Sequence, residues 1–322
     1  MIVFITYRGH GLAVQSRLDK TFGVPMPDIR HTHYERLFRA TRLPRATYVF
    51  CDLESLRPWM LQLAAQLFRT MQAAGLRCLN DPALAMCRVE LLTTLEREGI
   101  NPFGVYHADT DPKPRRFPVF VRDELGHGRA ADVLYEDQEA LTAGLAGLKK
   151  AGTPLRGLLV IELAAERYNE TLWAKWGTWR IGGQTVLEHI AVDDTWLVKI
   201  GDHAKVTPEI AQDEHDAVVS NRFADDMSRA FDLGCLDYGR ADHGRFGGRT
   251  VVFEVNTNPY IGPYRAARLA LRNETVMFAR RRMAECHEAI DTPSGGGVWL
   301  PGWRARRPWA WMRLRIGGPA GP

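Results

Sequence analysis

The sequence predicts a mixed α/β fold in which a small parallel α/β domain precedes α+β regions that contain antiparallel hairpins. Two observations predict it. Before residue 82, short apolar runs alternate with a helical stretch, which favours parallel strands. Two glycine pairs, at 182–183 and 247–248, lie between β-rich runs, as two-residue hairpin turns do. The chain has 322 residues and 45% hydrophobic content, enough to fill sizeable cores.

The first region, residues 1–81, has the pattern of a β-α-β unit. The apolar runs 2–5 and 48–50 are typical of buried strands, and the alanine- and leucine-rich stretch 58–74 is typical of a helix. A third strand is expected at 76–79. No G-x-G-x-x-G follows the first two strands, so the sequence does not indicate a dinucleotide-binding site.

A helix is expected to begin at 80–82, where an acid precedes a proline, and to end at Gly99. Its apolar stripe would contain a cation, Arg88, between Leu84 and Leu91. An arginine in this position can extend its charged end to solvent, or it can face an anionic ligand in a cleft. The pattern leaves both alternatives open.

The next region has two strands around a glycine turn, then a helix and a further strand. The strand 117–122 leads into the G-x-G at 126–128, and a second strand is expected at 132–135. Such a flap can bring main-chain N–H groups close to phosphate oxygens, although G-x-G is also typical of an ordinary turn. The later strand, 157–162, ends in the acid Glu162.

The third region, residues 166–292, has two hairpins and a long helical stretch between them. Residues 179–190 are expected to form a hairpin around the first glycine pair, and a strand is expected at 196–199. The stretch 208–233 has the pattern of one long helix that ends at Gly234. The second hairpin follows.

That second hairpin brings three oxygen-bearing side chains to one face. If the chain folds at the second glycine pair, Asp242 and Glu254 lie opposite each other to within one residue, with Cβ atoms roughly 5 Å apart. Asn256 joins them because side chains alternate with a period of two along a strand. Two facing carboxylates repel each other unless a cation lies between them, and Mg2+ prefers such oxygen ligands. The hairpin is therefore a candidate Mg2+ site.

The spacing of these residues, an acid followed after 12 positions by Glu-x-Asn-x-Asn-Pro, resembles the metal-binding hairpin of the ATP-grasp superfamily. The resemblance covers about residues 80–285. It implies an ATP-grasp fold, with two α+β subdomains at 82–165 and 166–292 that clamp ATP, after a pre-ATP-grasp domain at 1–81. It also implies Mg2+ (or Mn2+) as cofactor, with the ligands Asp242, Glu254 and Asn256.

The same resemblance implies roles for further residues. Arg122 takes the place of a lysine in the strand before the phosphate loop, and Arg88 that of a basic residue that reaches the phosphates. Glu162 would contact the adenine or ribose, with a strand-end salt bridge as an equal alternative. Arg180 and Lys199 would neutralise the γ-phosphate or a substrate carboxylate, or form surface ion pairs. The nucleotide-binding candidates are Arg88, Arg122, Gly126, Gly128 and Glu162, and the catalytic candidates are Arg122, Arg180 and Lys199.

The activity implied by the resemblance is an ATP-dependent carboxylate–amine or carboxylate–thiol ligase that forms an acyl phosphate and releases ADP and phosphate. The sequence does not indicate which carboxylate and amine it takes, whether small molecules or peptides. A second hypothesis is a catalytically degenerate ATP-binding module that closes around a partner, because arginines replace lysines.

The formal net charge of +4 is concentrated near the C-terminus. Residues 298–322 contain five arginines, four tryptophans and no acid, so the remainder is close to neutral and nucleic acid is not an expected partner. The Trp/Arg-rich tail, 293–322, could contact a membrane surface or a partner, pack on the body of the protein or be partly disordered. No membrane-spanning run or signal peptide is indicated, so we expect a cytoplasmic protein.

Three histidines near the start of the chain are further residues to consider as site candidates. His31 and His33 form an H-x-H pair, but their arginine-rich segment has the pattern of loop and helix, so a metal site is not expected there. His10 follows the first strand, and no Ser-His-Asp arrangement can be singled out.

Overall fold

A computed structural model describes residues 1–125 and 133–303. Its first part is a parallel sheet with helices packed against it, as the β-α-β pattern predicts. The sheet has the order β2-β1-β4-β5, and each neighbouring pair is parallel. The elements are β1 (Ile2–Thr6), α1 (Gln15–Leu18), β2 (Ile29–His33), α2 (Tyr34–Arg39), β3 (Arg42–Arg45), β4 (Thr47–Phe50), α3 (Pro58–Ala73) and β5 (Arg77–Leu79).

The buried apolar residues account for the central strands of this sheet. All five side chains of β1 and all four of β4 are buried, as expected for strands covered on both faces. The expectation of loop and helix around His31 and His33 is wrong for β2, which contains both residues. β2 is an edge strand with only Ile29 buried, so it lacks the continuous apolar run that marks β1.

The second part is a three-stranded antiparallel sheet of order β6-β8-β7, with one helix before it in the chain and one between its second and third strands. Its elements are α4 (Arg88–Arg97), β6 (Val105–His107), β7 (Val119–Asp123), α5 (Gln138–Lys150) and β8 (Leu158–Glu162). The expected helix start at 80–82 is wrong. Residues 82–84 form a turn that leaves Leu84 56% exposed, and the helix begins at Arg88, after the N-cap Cys87.

The third part is a four-stranded antiparallel sheet of order β10-β9-β11-β12. Its elements are β9 (Trp173–Ile181), β10 (Gln184–Asp193), α6 (Pro208–Ser220), α7 (Ala224–Leu233), β11 (Tyr238–Phe246), β12 (Arg249–Asn256) and α8 (Ala270–Ile290). Both predicted hairpins are present. The single helix at 208–233 is instead two, because Asn221 takes a left-handed conformation with φ 52° that ends α6. Residues 196–199 form no strand.

The segment after α8 returns to the parallel sheet. The last described strand, β13 (Gly295–Trp299), pairs with β3, and Trp303 is buried with its Nε1 donating to the carbonyl of Phe38 at 3.1 Å. The described part of the Trp/Arg-rich tail therefore packs on the body of the protein, and residues 304–322 lie outside the description. Within residues 1–125 and 133–303, no helix is both long and apolar enough to cross a membrane.

Candidate functional site

A β-bulge in the β11–β12 hairpin sets the two acids directly opposite each other. From the tight turn as far as His243, the ladder follows the register that the two glycines impose. Between His243 and Asp242 the register shifts by one, which leaves Phe253 as the extra residue on β12. Asp242 then pairs with Glu254, as the candidate metal site requires. Arg240 pairs with Asn256 in the same register.

These side chains line a cavity of about 670 Å3 between the antiparallel sheets and the end of the parallel sheet. One part of its wall is apolar and aromatic, with the rings of Phe120 and Trp196 4.9 Å apart. The other part is charged. The charged and polar residues contributed by the hairpin, by β9 and by β7 are Arg122, Lys175, Arg240, Asp242, Glu254 and Asn256.

Glu254 is held by two guanidinium groups on one oxygen. Its Oε2 accepts from Nη2 of Arg88 at 2.7 Å and from Nη2 of Arg122 at 2.8 Å. Burial alone would raise the pKa of this carboxyl, but Arg122, Arg88 and Lys175 outweigh it and lower the pKa to about 2. Glu254 is therefore ionised at any physiological pH.

Arg88 also joins the helix α4 to the end of β7. Its Nη1 donates to the carbonyls of Asp123 at 2.9 Å and Glu124 at 2.8 Å. Burial lowers the pKa of Arg88, and the neighbouring Arg122 adds to that effect while Glu254 opposes it. Of the two alternatives for this residue, the structure places the guanidinium inside, against an anion, rather than in solvent.

Asp242 lies between two other cations, one at each of its oxygens. Its Oδ2 accepts from Nζ of Lys175 at 2.9 Å, and its Oδ1 lies 3.3 Å from Nε of Arg240. Arg240 also lies 3.6 Å from Glu188, a carboxylate whose pKa is about 2 because His189 and Arg240 outweigh the effect of burial. Lys175 was not among the residues expected from the sequence.

Arg180 is not brought to this cavity, which corrects its expected catalytic role. Lys175 and Arg180 are an odd number of residues apart on β9, so their side chains lie on opposite faces of the sheet. Gly177 pairs with Asp242, so the cavity face carries Lys175. On the other face, Nη2 of Arg180 donates to Oδ1 of Asp232 at 2.6 Å. The expected surface alternative, an ion pair, is what the structure shows for Arg180.

Lys199 does line the cavity, although from a loop rather than from the expected strand. Its side chain is exposed, and its main-chain carbonyl accepts from Nζ of Lys175 at 3.0 Å. Asn256 lines the cavity as well, with its Oδ1 accepting from the N–H of Asn258 at 2.9 Å. Gly126 and Gly128, the expected phosphate loop, lie outside the described residues.

Glu162 borders the cavity, but both of its carboxylate oxygens are occupied by the protein. They accept from the N–H of Gly104 at 2.9 Å, from the hydroxyl of Tyr106 at 2.8 Å and from the N–H of Arg115 at 2.8 Å. Nε of Arg116 lies 3.4 Å away. Burial raises the pKa of Glu162, but these hydrogen bonds outweigh it and the pKa is lowered. The arrangement matches the strand-end salt bridge, so the carboxylate fixes the segment 104–116.

The donor set fits a hard cation that is shared with phosphate. Asp242, Glu254 and Asn256 offer carboxylate and carboxamide oxygens from one face of one hairpin, the ligand type that Mg2+ takes. Four cations surround the two carboxylates at hydrogen-bond or ion-pair distance, and one of them, Arg240, is shared with Glu188. Cationic N–H donors beside the carboxylates suit an anionic ligand that approaches them.

Neither a family model nor a curated protein matches the chain. Solved structures to which it is similar include D-alanine–D-alanine ligase from Bacillus anthracis complexed with ATP, at 13% identity over 88% of this chain and 98% of that one, with a TM-score of 0.46. The ATP-grasp ligase PsnB complexed with a minimal precursor is 12% identical over 90% and 98%, with a TM-score of 0.49. A RimK domain ATP-grasp protein from Sphaerobacter thermophilus is 16% identical over 88% and 98%, with a TM-score of 0.44. Two of these three are ATP-grasp proteins, the superfamily that the hairpin resembles.

Proposed function

We propose that this chain is an ATP-grasp protein and an ATP- and Mg2+-dependent ligase that joins a carboxylate to an amine. The observation that carries the proposal is the arrangement of Asp242 and Glu254, which face each other in a 670 Å3 cavity and are each paired with two cationic side chains. Two facing carboxylates can share a divalent cation, and cationic side chains beside them can bind phosphate oxygens. A triphosphate with a bound divalent cation suits both features.

The two parts of the cavity wall suit the two parts of ATP. The aromatic and apolar wall around Phe120 and Trp196 would take the adenine, because a base stacks on such surfaces. The charged wall would take the phosphates. Asp242, Glu254 and Asn256 would hold Mg2+, which supplies charge neutralisation between the phosphate oxygens when it is bound.

The cations of the site have a direct use in such a reaction. Arg122 lines the cavity and holds Glu254 through one oxygen, and its guanidinium carries further N–H groups that can bind a phosphate oxygen. Lys175 lines the cavity beside Asp242. We therefore assign phosphate binding and charge stabilisation to Arg122 and Lys175, with Lys199 as a further cation of the cavity lining. Arg88, whose Nη1 is bonded to two main-chain carbonyls, would orient Glu254 instead.

The chemistry needs no nucleophile from the protein. The substrate carboxylate attacks the γ-phosphorus and displaces ADP, and the resulting acyl phosphate is then attacked by the amine, which releases phosphate. What the chain contributes is position, charge stabilisation and exclusion of water. A thiol in place of the amine would use the same first step.

The proposal can be tested with purified protein, Mg-ATP and a panel of amino acids and short peptides. Hydroxylamine is added as a nucleophile that traps an acyl phosphate as a hydroxamate. We expect ADP release that depends on the added carboxylate, together with a hydroxamate. Nucleotide binding that depends on Mg2+, with no ADP or hydroxamate from any carboxylate, would instead support the ATP-binding module. Absence of Mg-dependent nucleotide binding would contradict both.

A further inference from the structure

A histidine and a buried carboxylate from the parallel-sheet domain line the same cavity. His10 lies in a short 3-10 turn, His10–Val14, after β1, and Asp52 lies just after β4. The carboxyl ends of neighbouring parallel strands lie at one edge of a sheet, and this edge faces the β11–β12 hairpin. Neither residue is used by the nucleotide site described above.

Asp52 is fixed so that one of its oxygens is directed to His10. Its Oδ2 accepts from the N–H of Tyr7 at 2.9 Å and from Nδ2 of Asn258 at 3.1 Å. Its Oδ1 lies 3.4 Å from Nδ1 of His10. Asp52 is 3% exposed and takes a left-handed conformation with φ 53°, a conformation that costs energy for a residue other than glycine. The surrounding contacts, including its own N–H to Oγ1 of Thr257 at 2.9 Å, hold it there.

Asn258, just after the β11–β12 hairpin, connects His10 and Asp52 to the candidate Mg2+ site. Asn258 donates from Nδ2 to Asp52 and also to the carbonyl of His10 at 3.1 Å, and it follows Asn256 by two residues. The imidazole is therefore held one short segment away from the candidate Mg2+ site. In contrast to Asp52, the His10 side chain is 45% exposed, and His10 lines the cavity.

We propose that His10, oriented by Asp52, is the base that accepts the proton of the amine nucleophile. This inference rests on the proposed function. An imidazole whose Nδ1 faces a buried carboxylate presents Nε2 as the proton acceptor, and the long 3.4 Å separation is of the kind that tightens when substrate binds. The amine is thereby assigned to the His10 end of the cavity, and the nucleotide to the aromatic end.

The proton and electrons of this step balance. His10 takes at Nε2 one proton of the ammonium form of the substrate, which leaves the neutral amine. The C–N bond then forms as this amine attacks the carbonyl carbon of the acyl phosphate, the C–O bond to the phosphoryl group breaks, and its electron pair leaves with the phosphate. A second proton from nitrogen passes to that phosphate, which gives amide and hydrogen phosphate, and the imidazolium releases its proton to solvent.

Charged and titratable groups near His10 come from several elements. From its own segment, the ring of Tyr7 lies 5.5 Å from the imidazole, and His31 of β2 lies against the neighbouring Gly11. The loop after β4 contributes Asp52, and the hairpin end contributes the uncharged Asn258. Asp52 is the acid at ion-pair distance from His10, so it is the group that stabilises the imidazolium formed in the reaction.

The test compares two nucleophiles in His10→Gln and in a matched control, His107→Gln, which alters an exposed histidine of β6. Amide formation from amino acids is measured beside hydroxamate formation from hydroxylamine, a nucleophile that is largely unprotonated at neutral pH. We expect His10→Gln to lower amide formation by about 10² to 10⁴ and to change hydroxamate formation less than about threefold. Asp52→Asn should show the same selective loss to a smaller extent, since Asp52 is a positioning residue.

The outcomes separate the inference from the proposed function. Equal loss of amide and hydroxamate in His10→Gln, or no loss of either, would overturn the role of His10 and leave the ligase proposal standing. A wild-type protein that forms neither product would overturn both. Because the His10 side chain is half exposed, its substitution is not expected to prevent folding, so the test does not depend on the buried Asp52.

Discussion

Lys175 and Arg180 lie on one strand, and their side chains face opposite sides of the antiparallel sheet. Lys175 lies against Asp242 in the cavity, whereas Arg180 forms an ion pair with Asp232 on the other side. We expect Lys175→Met to lower carboxylate-dependent ADP release by about 10² to 10³, the cost of removing one preorganised charge. Arg180→Met should change the rate less than about threefold.

Each variant serves as the control for the other, because both remove a long cationic side chain from β9 and should disturb the stability of the sheet to a similar extent. The measurement is the steady-state rate of ADP release at saturating Mg-ATP. Loss of activity in Arg180→Met with little loss in Lys175→Met would contradict the orientation of β9 and restore the assignment made from the sequence.

A second prediction concerns Glu254→Gln. The carboxylate accepts from two guanidinium groups that are mostly buried, so we expect the variant to lose about 2 kcal/mol in free energy of unfolding, because bonds to a charged group become bonds to a neutral one. ATP should raise the unfolding temperature of wild type more with Mg2+ than without it, and the variant should lose this Mg2+-dependent increase. Thermal unfolding with ATP, with and without Mg2+, measures both effects.

The control for that experiment is Asp232→Asn, which neutralises an exposed carboxylate that also pairs with an arginine but lies outside the cavity. It should keep the full Mg2+-dependent increase in the unfolding temperature. A Glu254→Gln protein with the same Mg2+-dependent increase as wild type would remove Glu254 from the metal site.

A third prediction concerns Arg122. Arg122→Ala should lower ADP release by about 10² to 10³, since it removes a cation from the phosphate side of the cavity, and Arg122→Lys should retain part of the rate. Arg97→Ala, at an exposed position on α4, is the control. If Arg122→Ala changes neither nucleotide affinity nor turnover beyond about twofold, while Glu254 is still needed for nucleotide binding, the ATP-binding module becomes the better reading.

The hairpin could be predicted from the sequence because its information is local. Two adjacent glycines with φ of 59° and 75° set a tight turn, and the alternation of side chains along each strand determines which residues share a face. The register set by the glycine turn would leave Asp242 one residue away from direct opposition to Glu254. The bulge at Phe253 shifts the register by that one residue. Bulges depend on packing as well as on sequence, so the last step required the structure.

Other parts of the site were not accessible from local patterns. The face of β9 that meets the cavity follows from its pairing with β11, a long-range contact, so Lys175 was missed and Arg180 was chosen instead. The occupied carboxylate of Glu162 depends on a segment some 50 residues away in the chain, at 104–116. His10 and Asp52 meet because β1 and β4 are adjacent parallel strands, which the β-α-β pattern predicts only in outline.

The last prediction concerns the dependence of stability on pH, through two buried histidines. Burial lowers the pKa of His243 and of His287 from 6.5 to about 3. Between these values the unfolded chain binds a proton at each residue that the folded chain does not, so the free energy of unfolding falls as the pH falls below 6.5. The loss in the free energy of unfolding is about 1.4 kcal/mol per histidine between pH 7.5 and pH 5.5.

Urea unfolding at pH 7.5, 6.5 and 5.5 measures this loss. The free energy of unfolding of His287→Gln should depend less steeply on pH than that of wild type, even if the variant is less stable at pH 7.5. The same slope in the variant would mean that His287 binds a proton as readily in the folded protein as in the unfolded chain, which its burial in the structure excludes.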